Sequence, residues 1–355
     1  MPFRLRPRVP KLRLVLPILA AAFVASCTEA PPKVITPPPP PPPPTVSLSP
    51  RLIEMASAYR HYLNGVGAIT PGFQNGDGVA ASLRTGAQYE PQQLAKGAIA
   101  YGAVVALQDR TFVEGVRIYA KDPTQRRHVA YEILKDPAYV VGLAGSASAA
   151  GQVIAALGAD GQRLYDHGKA VKQAAYDIQK QPWSKADVPA RDVRLAHAKS
   201  VSAAAMAGSV DESARLQQAS TGAAPLTALS GAPVAPPYTQ TVIRSLAVAA
   251  LAVLGEAGDA NVETVTALVV EPNVGMCMNM SKLNLYQCLA VSRPHYEDVF
   301  CLGQHGMMDT GRCMIRASGL PEPYEARFVP SQESINKGMQ TKKPPAKKRP
   351  VKKKS

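Results

Sequence analysis

Cysteine is the residue type whose spacing in this chain carries the most chemical information. One cysteine, Cys27, stands near the N-terminus, and the other four are Cys277, Cys288, Cys301 and Cys313. Four thiols so close together can form two disulfides, or they can bind a metal ion as thiolates. Which chemistry applies depends on the redox compartment, because disulfides persist mainly outside the cytoplasm.

The spacing of the four C-terminal cysteines favours nested disulfides among the three possible pairings. The pair 288/301 and the pair 277/313 are both centred on Pro294-His295, which we interpret as a turn between two helices. Residues equidistant from the turn of an antiparallel hairpin lie opposite each other, so we expect Cys288–Cys301 and Cys277–Cys313. Three glycines are expected to interrupt the second helix and weaken the outer pairing: Gly303, Gly306 and Gly311.

A metal site is the alternative interpretation of this cluster. Cys301 and His305 are four residues apart and could share a helix face, with Cys313 or His295 nearby. Zinc sites usually contain a short paired-cysteine spacing, which is absent here. Disulfides are therefore favoured, and no metal ligand or cofactor is assigned.

The N-terminal cysteine follows a segment with three recognisable parts. Residues 1–13 are basic, Leu14–Ala25 is an apolar run too short for a stable membrane span, and Val24-Ala25-Ser26-Cys27 ends the segment. This order resembles the lipobox of bacterial lipoprotein precursors, over residues 1–27 only. The resemblance implies export, cleavage before Cys27 and acylation of its thiol. An ordinary cleaved signal peptide or an uncleaved anchor remain the alternatives.

The resemblance also implies an address for the mature protein. A lipid on Cys27 would hold the chain on a membrane of the cell envelope, with its body in the periplasm or at the cell surface. Residue 28 is threonine, whereas aspartate at that position retains many lipoproteins on the inner membrane. By this analogy we expect the outer membrane.

The net charge of +14 is concentrated at the two ends of the chain. Residues 1–26 carry five basic groups and residues 341–355 carry eight, neither with an acid, which leaves +1 for residues 27–340. A nearly neutral body argues against nucleic acid as a partner. The C-terminal groups, which either bind anionic envelope polymers or form a solvated tail, are Lys342, Lys343, Lys347, Lys348, Arg349, Lys352, Lys353 and Lys354.

A proline-rich tether is expected between the anchor and the body. Pro37 to Pro44 is an unbroken run of eight prolines. Proline has a fixed φ and no amide donor, so the run predicts a polyproline II rod of about 25 Å. We interpret it as a spacer that holds the body away from the bilayer. The alternative is a ligand for a proline-binding module.

Apolar residues at three- and four-residue spacing predict a mostly α-helical, bundle-like body with a small disulfide-stapled helical hairpin at its C-terminal end. Residues 138–159 and 189–216 are each predicted to form one helix. The first is uncharged, and we interpret it as a buried central helix rather than a membrane span. The predicted units are a signal peptide (1–26), the lipidated tether (27–50), a helical domain (51–218), a linker (219–240), a helical module with four cysteines (241–320), and a disordered tail (321–355).

No established catalytic motif is present, so no catalytic residue is assigned. Glu54 and Glu90 are possible acids, and Asn75 and Asp77 are possible cation ligands, but each is explained as well by solvent exposure or turn formation. We expect a structural or interaction role rather than an enzyme. The alternative function is a hydrolase of the cell envelope, which would act on cell wall with acidic residues that the sequence does not identify.

Overall fold

Fourteen α-helices form in the part of the chain that the computed structural model describes, residue 42 and the ranges 44–226 and 231–324. These residues contain no β-strand, which confirms the predicted mostly α-helical class. The helices are α1 (Pro50–Gly67), α2 (Gly76–Ala87), α3 (Pro91–Ala106), α4 (Arg110–Ala120), α5 (Pro123–Lys135), α6 (Ser146–Ile178), α7 (Pro182–Lys185), α8 (Arg191–Ala203), α9 (Val210–Ser220), α10 (Gln240–Val253), α11 (Val262–Leu268), α12 (Pro272–Val291), α13 (His295–Cys301) and α14 (Asp309–Ser318).

Side-chain caps explain where many of these helices begin. Ser49 accepts a hydrogen bond from the Leu52 amide at the start of α1, and Asp122 accepts from two first-turn amides of α5. Proline occupies the first position of both helices, where a missing amide donor costs nothing.

The central helix α6 differs from its prediction at its start. Residues Pro137–Gly142 form a 3-10 turn, and α6 begins only at Ser146. The cause is Gly145, whose φ of +84° breaks the helical path and whose Cβ position would lie 2.5 Å from the Phe112 backbone. The predicted helix over Ala138–Ala159 is therefore wrong at its N-terminal end. Within the described ranges, no helix has the length and apolar character needed to cross a bilayer.

The predicted single helix over residues 189–216 is also wrong, because the structure divides it into α8 and α9. The chain between them passes close to α1, where the Ser209 amide donates to Ser57 Oγ at 3.0 Å. Ser209 Oγ in turn accepts from the Glu212 amide and starts α9. The interruption thus docks the chain on α1 and caps the next helix.

The two predicted helical segments, 51–218 and 241–320, share one hydrophobic core in the structure. Helix α10 is buried along almost its whole length and packs against α3 and α6. Ser245 of α10 donates to the Ile99 carbonyl of α3 at 3.1 Å. Both segments belong to the same compact unit, so the core does not stop at the predicted linker.

Two predicted irregular segments contact this core at their described ends. In the predicted linker, the Val234 amide donates to the Ala147 carbonyl of α6 at 3.0 Å. At the end of the predicted tether, Leu48 is buried and the Ser49 amide donates to the Ala257 carbonyl. Most of the proline run and the tail beyond residue 324 lie outside the described residues.

The C-terminal hairpin carries the two predicted disulfides. Cys288–Cys301 and Cys277–Cys313 are both formed, which confirms the nested pairing. The second half of the hairpin runs through α13, a π-helical segment (Leu302–Met308) and α14. The expected interruption by glycines is therefore wrong, because the chain stays helical; Gly303 and Gly311 face α6, whereas Gly306 lies beside Leu302.

Glycines on both partners allow the hairpin and α6 to approach backbone to backbone. A Cβ on Gly168 of α6 would lie 2.7 Å from the Met308 amide and 2.9 Å from the Gly303 carbonyl. Two helical turns earlier in α6, a Cβ on Gly161 would lie 3.0 Å from the Gly311 carbonyl. The neighbouring atoms are main chain, which cannot move aside alone, so the crossing tolerates no side chain at these positions.

We predict that Gly168→Ala lowers the free energy of unfolding by about 1–3 kcal/mol, because overpacking at the crossing outweighs the roughly 1 kcal/mol of helix propensity that alanine gains. Denaturant unfolding measures this change. The matched control is Gly67→Ala in α1, where a Cβ meets no atom within 4 Å and stability should change by less than about 1 kcal/mol. A Gly168→Ala protein as stable as the wild type would contradict the close crossing.

Candidate functional site

The residues that sequence reasoning singled out are mostly structural, or lie outside the described ranges. Cys27 and the basic groups of 341–355 belong to the second category. Glu54 accepts hydrogen bonds from the Gly208 amide and the Ser213 hydroxyl, and Glu90 caps α3. These two acids therefore hold the chain in place.

The proposed metal alternative at the hairpin is wrong. Cys301 is bonded to Cys288, and His305 Nδ1 lies 2.8 Å from Asp309 Oδ2. In the described residues no three or more His, Cys, Asp or Glu side chains are grouped to hold a metal ion.

A cleft of about 490 Å³ between α2, α8 and α13 is the best candidate site. The N-terminal turn of α2 contributes Gly76 and Asp77, α8 contributes Arg194 and His197, and α13 contributes His295. Its volume falls in the range of small-molecule sites. Sequence reasoning missed this cleft, because its residues come from three segments that are far apart in the chain.

A buried ion pair forms part of the cleft lining. Arg194 of α8 and Asp298 of α13 form an ion pair at 2.5 Å, and the Ser292 hydroxyl donates to the same carboxylate oxygen at 2.8 Å. Burial raises the pKa of Asp298, although Arg194 and Ser292 oppose the rise. Arg194 also donates to the Leu289 carbonyl at the end of α12. The pair therefore fixes α8 against the stapled hairpin.

Arg194 has one buried donor without a partner. Only 9% of its side chain is exposed, and its Nε makes no hydrogen bond. A buried donor without an acceptor is costly, and ordered water or a ligand commonly accounts for such a group. The Nε atom does not open onto the cleft, and Asp298 and the Leu289 carbonyl hold the rest of the guanidinium, so Arg194 is a structural residue of the cleft wall.

The start of α8 opens on the same cleft. Ala190, in the left-handed region at φ +48°, precedes the helix and offers no capping side chain. The amides of the first turn, from Arg191 to Val193, are therefore not capped by a side chain, and Ala190 and Val193 line the cleft. Asp192, in the same turn, supplies a negative group of the kind that the helix dipole favours at this end.

The walls of the cleft are apolar and its rim is charged. Val79 and Leu83 of α2 face the cleft, and Arg84 and His197 stand at its exposed edge. His295 packs directly on Gly76, where a Cβ would lie 2.5 Å from the imidazole. The arrangement suits a ligand with an apolar body and a polar end.

A second cavity, of about 380 Å³, contains a polar network that is already paired. Asp160 of α6 accepts from the Tyr59 hydroxyl at 3.1 Å and from Arg60 at 2.9 Å, and it also pairs with Arg163. Burial raises the pKa of Tyr59, and the nearby Asp160 adds to the rise. This network fastens α1 to α6 and has the contacts expected of a structural element.

Behind the cleft, a buried lysine joins α2 to α8, the two helices that form its walls. Lys282 of α12 donates to the Ala87 carbonyl at the end of α2 (2.6 Å) and to Ser202 Oγ in the last turn of α8 (3.0 Å). Its Nζ also lies 3.3 Å from the centroid of the Tyr89 ring. Burial lowers the pKa of Lys282 well below its ordinary value, although Glu90 opposes the shift.

The exposed face of α12 carries no charge. Lys282 is the single charged residue in this helix and it is buried, while Met276, Met280 and Leu283 are 63%, 52% and 41% exposed. No other described element covers these three side chains. They follow the helical spacing of one face, on the helix that both disulfides fasten.

Comparison of the chain with protein-family models, with curated proteins and with solved structures finds no match.

We predict that Lys282 makes the free energy of unfolding rise with pH in the alkaline range. The unfolded lysine binds a proton up to about pH 10.4, whereas the folded one releases it earlier, so stability rises with pH below 10.4. The difference in unfolding free energy between wild type and Lys282→Met should therefore increase from pH 7 to pH 9.5. The increase cannot exceed about 1.4 kcal/mol per pH unit.

Denaturant unfolding at several pH values measures this difference. The pH range stops below the tyrosine titration, because burial raises the pKa of the neighbouring Tyr89 to about 12 while the unfolded tyrosine titrates near 10. Lys199→Met is the control, since Lys199 is an exposed lysine on α8. A flat difference for Lys282→Met would contradict the lowered pKa.

Proposed function

We propose that this protein is a lipid-anchored component of the bacterial cell envelope that acts by binding a ligand in the cleft between α2, α8 and α13. The observation that carries the binding role is the cleft itself, a volume of about 490 Å³ with aliphatic walls and a few charged side chains at its edge. The anchor rests on the lipobox-like segment that ends at Cys27.

The disulfides support the extracytoplasmic part of the proposal. All four cysteines of the described residues are paired, in two bonds that enclose the hairpin turn. Such bonds persist in the periplasm and outside the cell and are rare in a reducing cytoplasm. Export, an anchor at Cys27 and a proline spacer are mutually consistent with this chemistry.

Binding is favoured over hydrolysis by the state of the acids in the cleft. Asp298 is held by Arg194 and Ser292, so it is not free to transfer a proton or to attack a substrate. Asp77 is exposed at the start of α2 and lines the cleft without a partner acid positioned beside it. The usual mechanisms of glycoside hydrolysis need two such groups acting together.

The basic tail supplies a second contact in this proposal. Its eight cations, in residues 341–355, would neutralise anionic polymers or lipid at the envelope surface. Binding of this kind weakens as salt rises, because it depends on charge neutralisation.

Intact mass spectrometry of the full chain expressed in a bacterial host tests the anchor. We expect a polypeptide that begins at Cys27, carries two or three acyl chains, and exposes four additional thiols to alkylation only after reduction. The Cys27→Ala control should keep residues 1–26 and carry no lipid. A wild-type chain that retains residues 1–26, or four thiols that react without reduction, would refute the proposed address.

A further inference from the structure

We infer that the α4–α5 face, meaning the solvent side of residues 110–135, docks on an anionic lipid surface and sets the orientation of the anchored body. This inference rests on the proposed lipid anchor at Cys27 and adds which side of the body meets the bilayer. It follows from the place where the tether joins the body, and from the charges and apolar side chains of that face.

The tether joins the body beside α5. A Cβ on Gly255 would lie 2.5 Å from the Cβ of Pro44, which belongs to the tether. The next residue in the chain, Glu256, forms an ion pair with Arg126 of α5 at 3.7 Å. The α4–α5 face is therefore a neighbour of the segment through which the anchor would hold the body.

The tether also makes a weak attraction sufficient. Seventeen residues separate Cys27 from Pro44, so the anchor keeps the body within about 60 Å of the bilayer and leaves shorter distances open. At such a distance the bilayer is present at a high effective concentration. A surface with a few cations can then select one orientation, although it would not recruit the protein from solution alone.

The exposed sides of α4 and α5 lie on the same side of the molecule. The buried stripe of α4 includes Phe112 and Val116, and that of α5 includes Val129 and Ile133. Both helices pack on α10. The sides opposite the two stripes therefore point away from α10 and together form one face.

This face carries cations that are not paired. Arg117, Lys121 and Arg127 are exposed and form no ion pair within the described part of the chain. Residues 110–135 contain six basic and three acidic side chains, whereas residues 27–340 as a whole carry +1. Negatively charged headgroups attract clusters of this kind.

The acids near the tether offset only part of this charge. Glu256 is already paired with an α5 arginine, and Glu263 pairs with Arg51 at 2.6 Å. Asp122, which caps α5, and Asp259 have no ion pair in the described ranges. The three unpaired cations of the face outnumber these two acids.

Two large apolar side chains stand among the cations. Ile118 of α4 is 51% exposed and follows Arg117, and Tyr131 of α5 is 60% exposed, one turn after Arg127. Tyrosine is enriched where a membrane meets water, because its ring is apolar and its hydroxyl is polar. Cations interleaved with such side chains favour a lipid surface over a soluble polyanion.

The far end of α6 provides a matched comparison. Lys180 and Lys185 are exposed there, and Tyr176 is 48% exposed, so charge and an aromatic ring alone would also allow this end to dock. Helix α6 has 33 residues, which makes it about 50 Å long, and it starts beside Phe112 of α4. The two ends are therefore distinguished by the tether, which lies with the α4–α5 face.

Lysine footprinting of the full acylated chain in vesicles tests the inference. Vesicles of phosphatidylcholine are compared with vesicles that contain about one third phosphatidylglycerol, and peptide mass spectrometry follows the acetylation of each lysine by a neutral reagent. We expect Lys121 to react about three- to tenfold more slowly in the anionic vesicles, while Lys180 changes by less than about twofold. Salt at about 0.5 M should remove the difference, because it screens the charges.

Two charge reversals of equal size separate the face from the net charge. Arg117→Glu with Arg127→Glu should reduce the protection of Lys121 to less than about twofold. Lys169→Glu with Lys185→Glu, in α6 and α7, is the control and should leave that protection unchanged. All four side chains are exposed, so neither variant should disturb the fold.

Equal reactivity of Lys121 in the two kinds of vesicle would overturn the inference, as would protection of Lys180 equal to that of Lys121. Loss of protection in the control variant would overturn it too. Protection of Lys121 by soluble polyglutamate in phosphatidylcholine vesicles would assign the face to soluble polyanions instead. Intact mass of the same sample separates the two proposals: an acylated chain with unprotected Lys121 removes the docking face alone, whereas a chain without lipid removes the anchor and the inference with it.

Discussion

Main-chain contact between α6 and the C-terminal helices is the constraint on which the rest of the structure depends. Gly161 and Gly168 of α6 face Gly311 and Gly303 of the hairpin at distances that exclude a Cβ. The two disulfides bond the second arm of the hairpin, which runs from α13 to α14 and faces α6, to α12. A helix of 33 residues is thereby seated along a cross-linked partner, and the other helices pack around this pair.

The candidate cleft depends on the same clamp, that is, on the glycine contact between α6 and the hairpin and on the two disulfides. Its α13 residue Asp298 lies three positions before Cys301, which is bonded to α12, so the disulfide fixes the position of the buried carboxylate. Arg194 joins that carboxylate to α8, and Lys282 joins α12 to the ends of α2 and α8. Both walls of the cleft are therefore fixed to the stapled hairpin, so the cleft has the rigid setting that a preorganised site requires.

The sequence predicts the class of fold and the disulfide pairing, because helical periodicity and cysteine spacing are local patterns. It fails where tertiary contact decides. Helix α6 starts only after Gly145, where the backbone passes close to Phe112. The chain between α8 and α9 leaves the helical path because Ser209 bonds to Ser57 of α1. The cleft joins segments about a hundred residues apart, so it exists only after the chain has folded.

Native-state hydrogen exchange, followed amide by amide, tests the central role of the clamp most directly. In the oxidised protein, the amides of residues 161–172 in α6 and of α14 should exchange only through global unfolding and be the slowest in the chain, whereas those of α8 should open locally at lower free energy. Reduction of the disulfides should lower the protection of α6 and α14 together. If α6 exchanges faster than α8, or keeps its full protection after reduction, the clamp does not organise the fold.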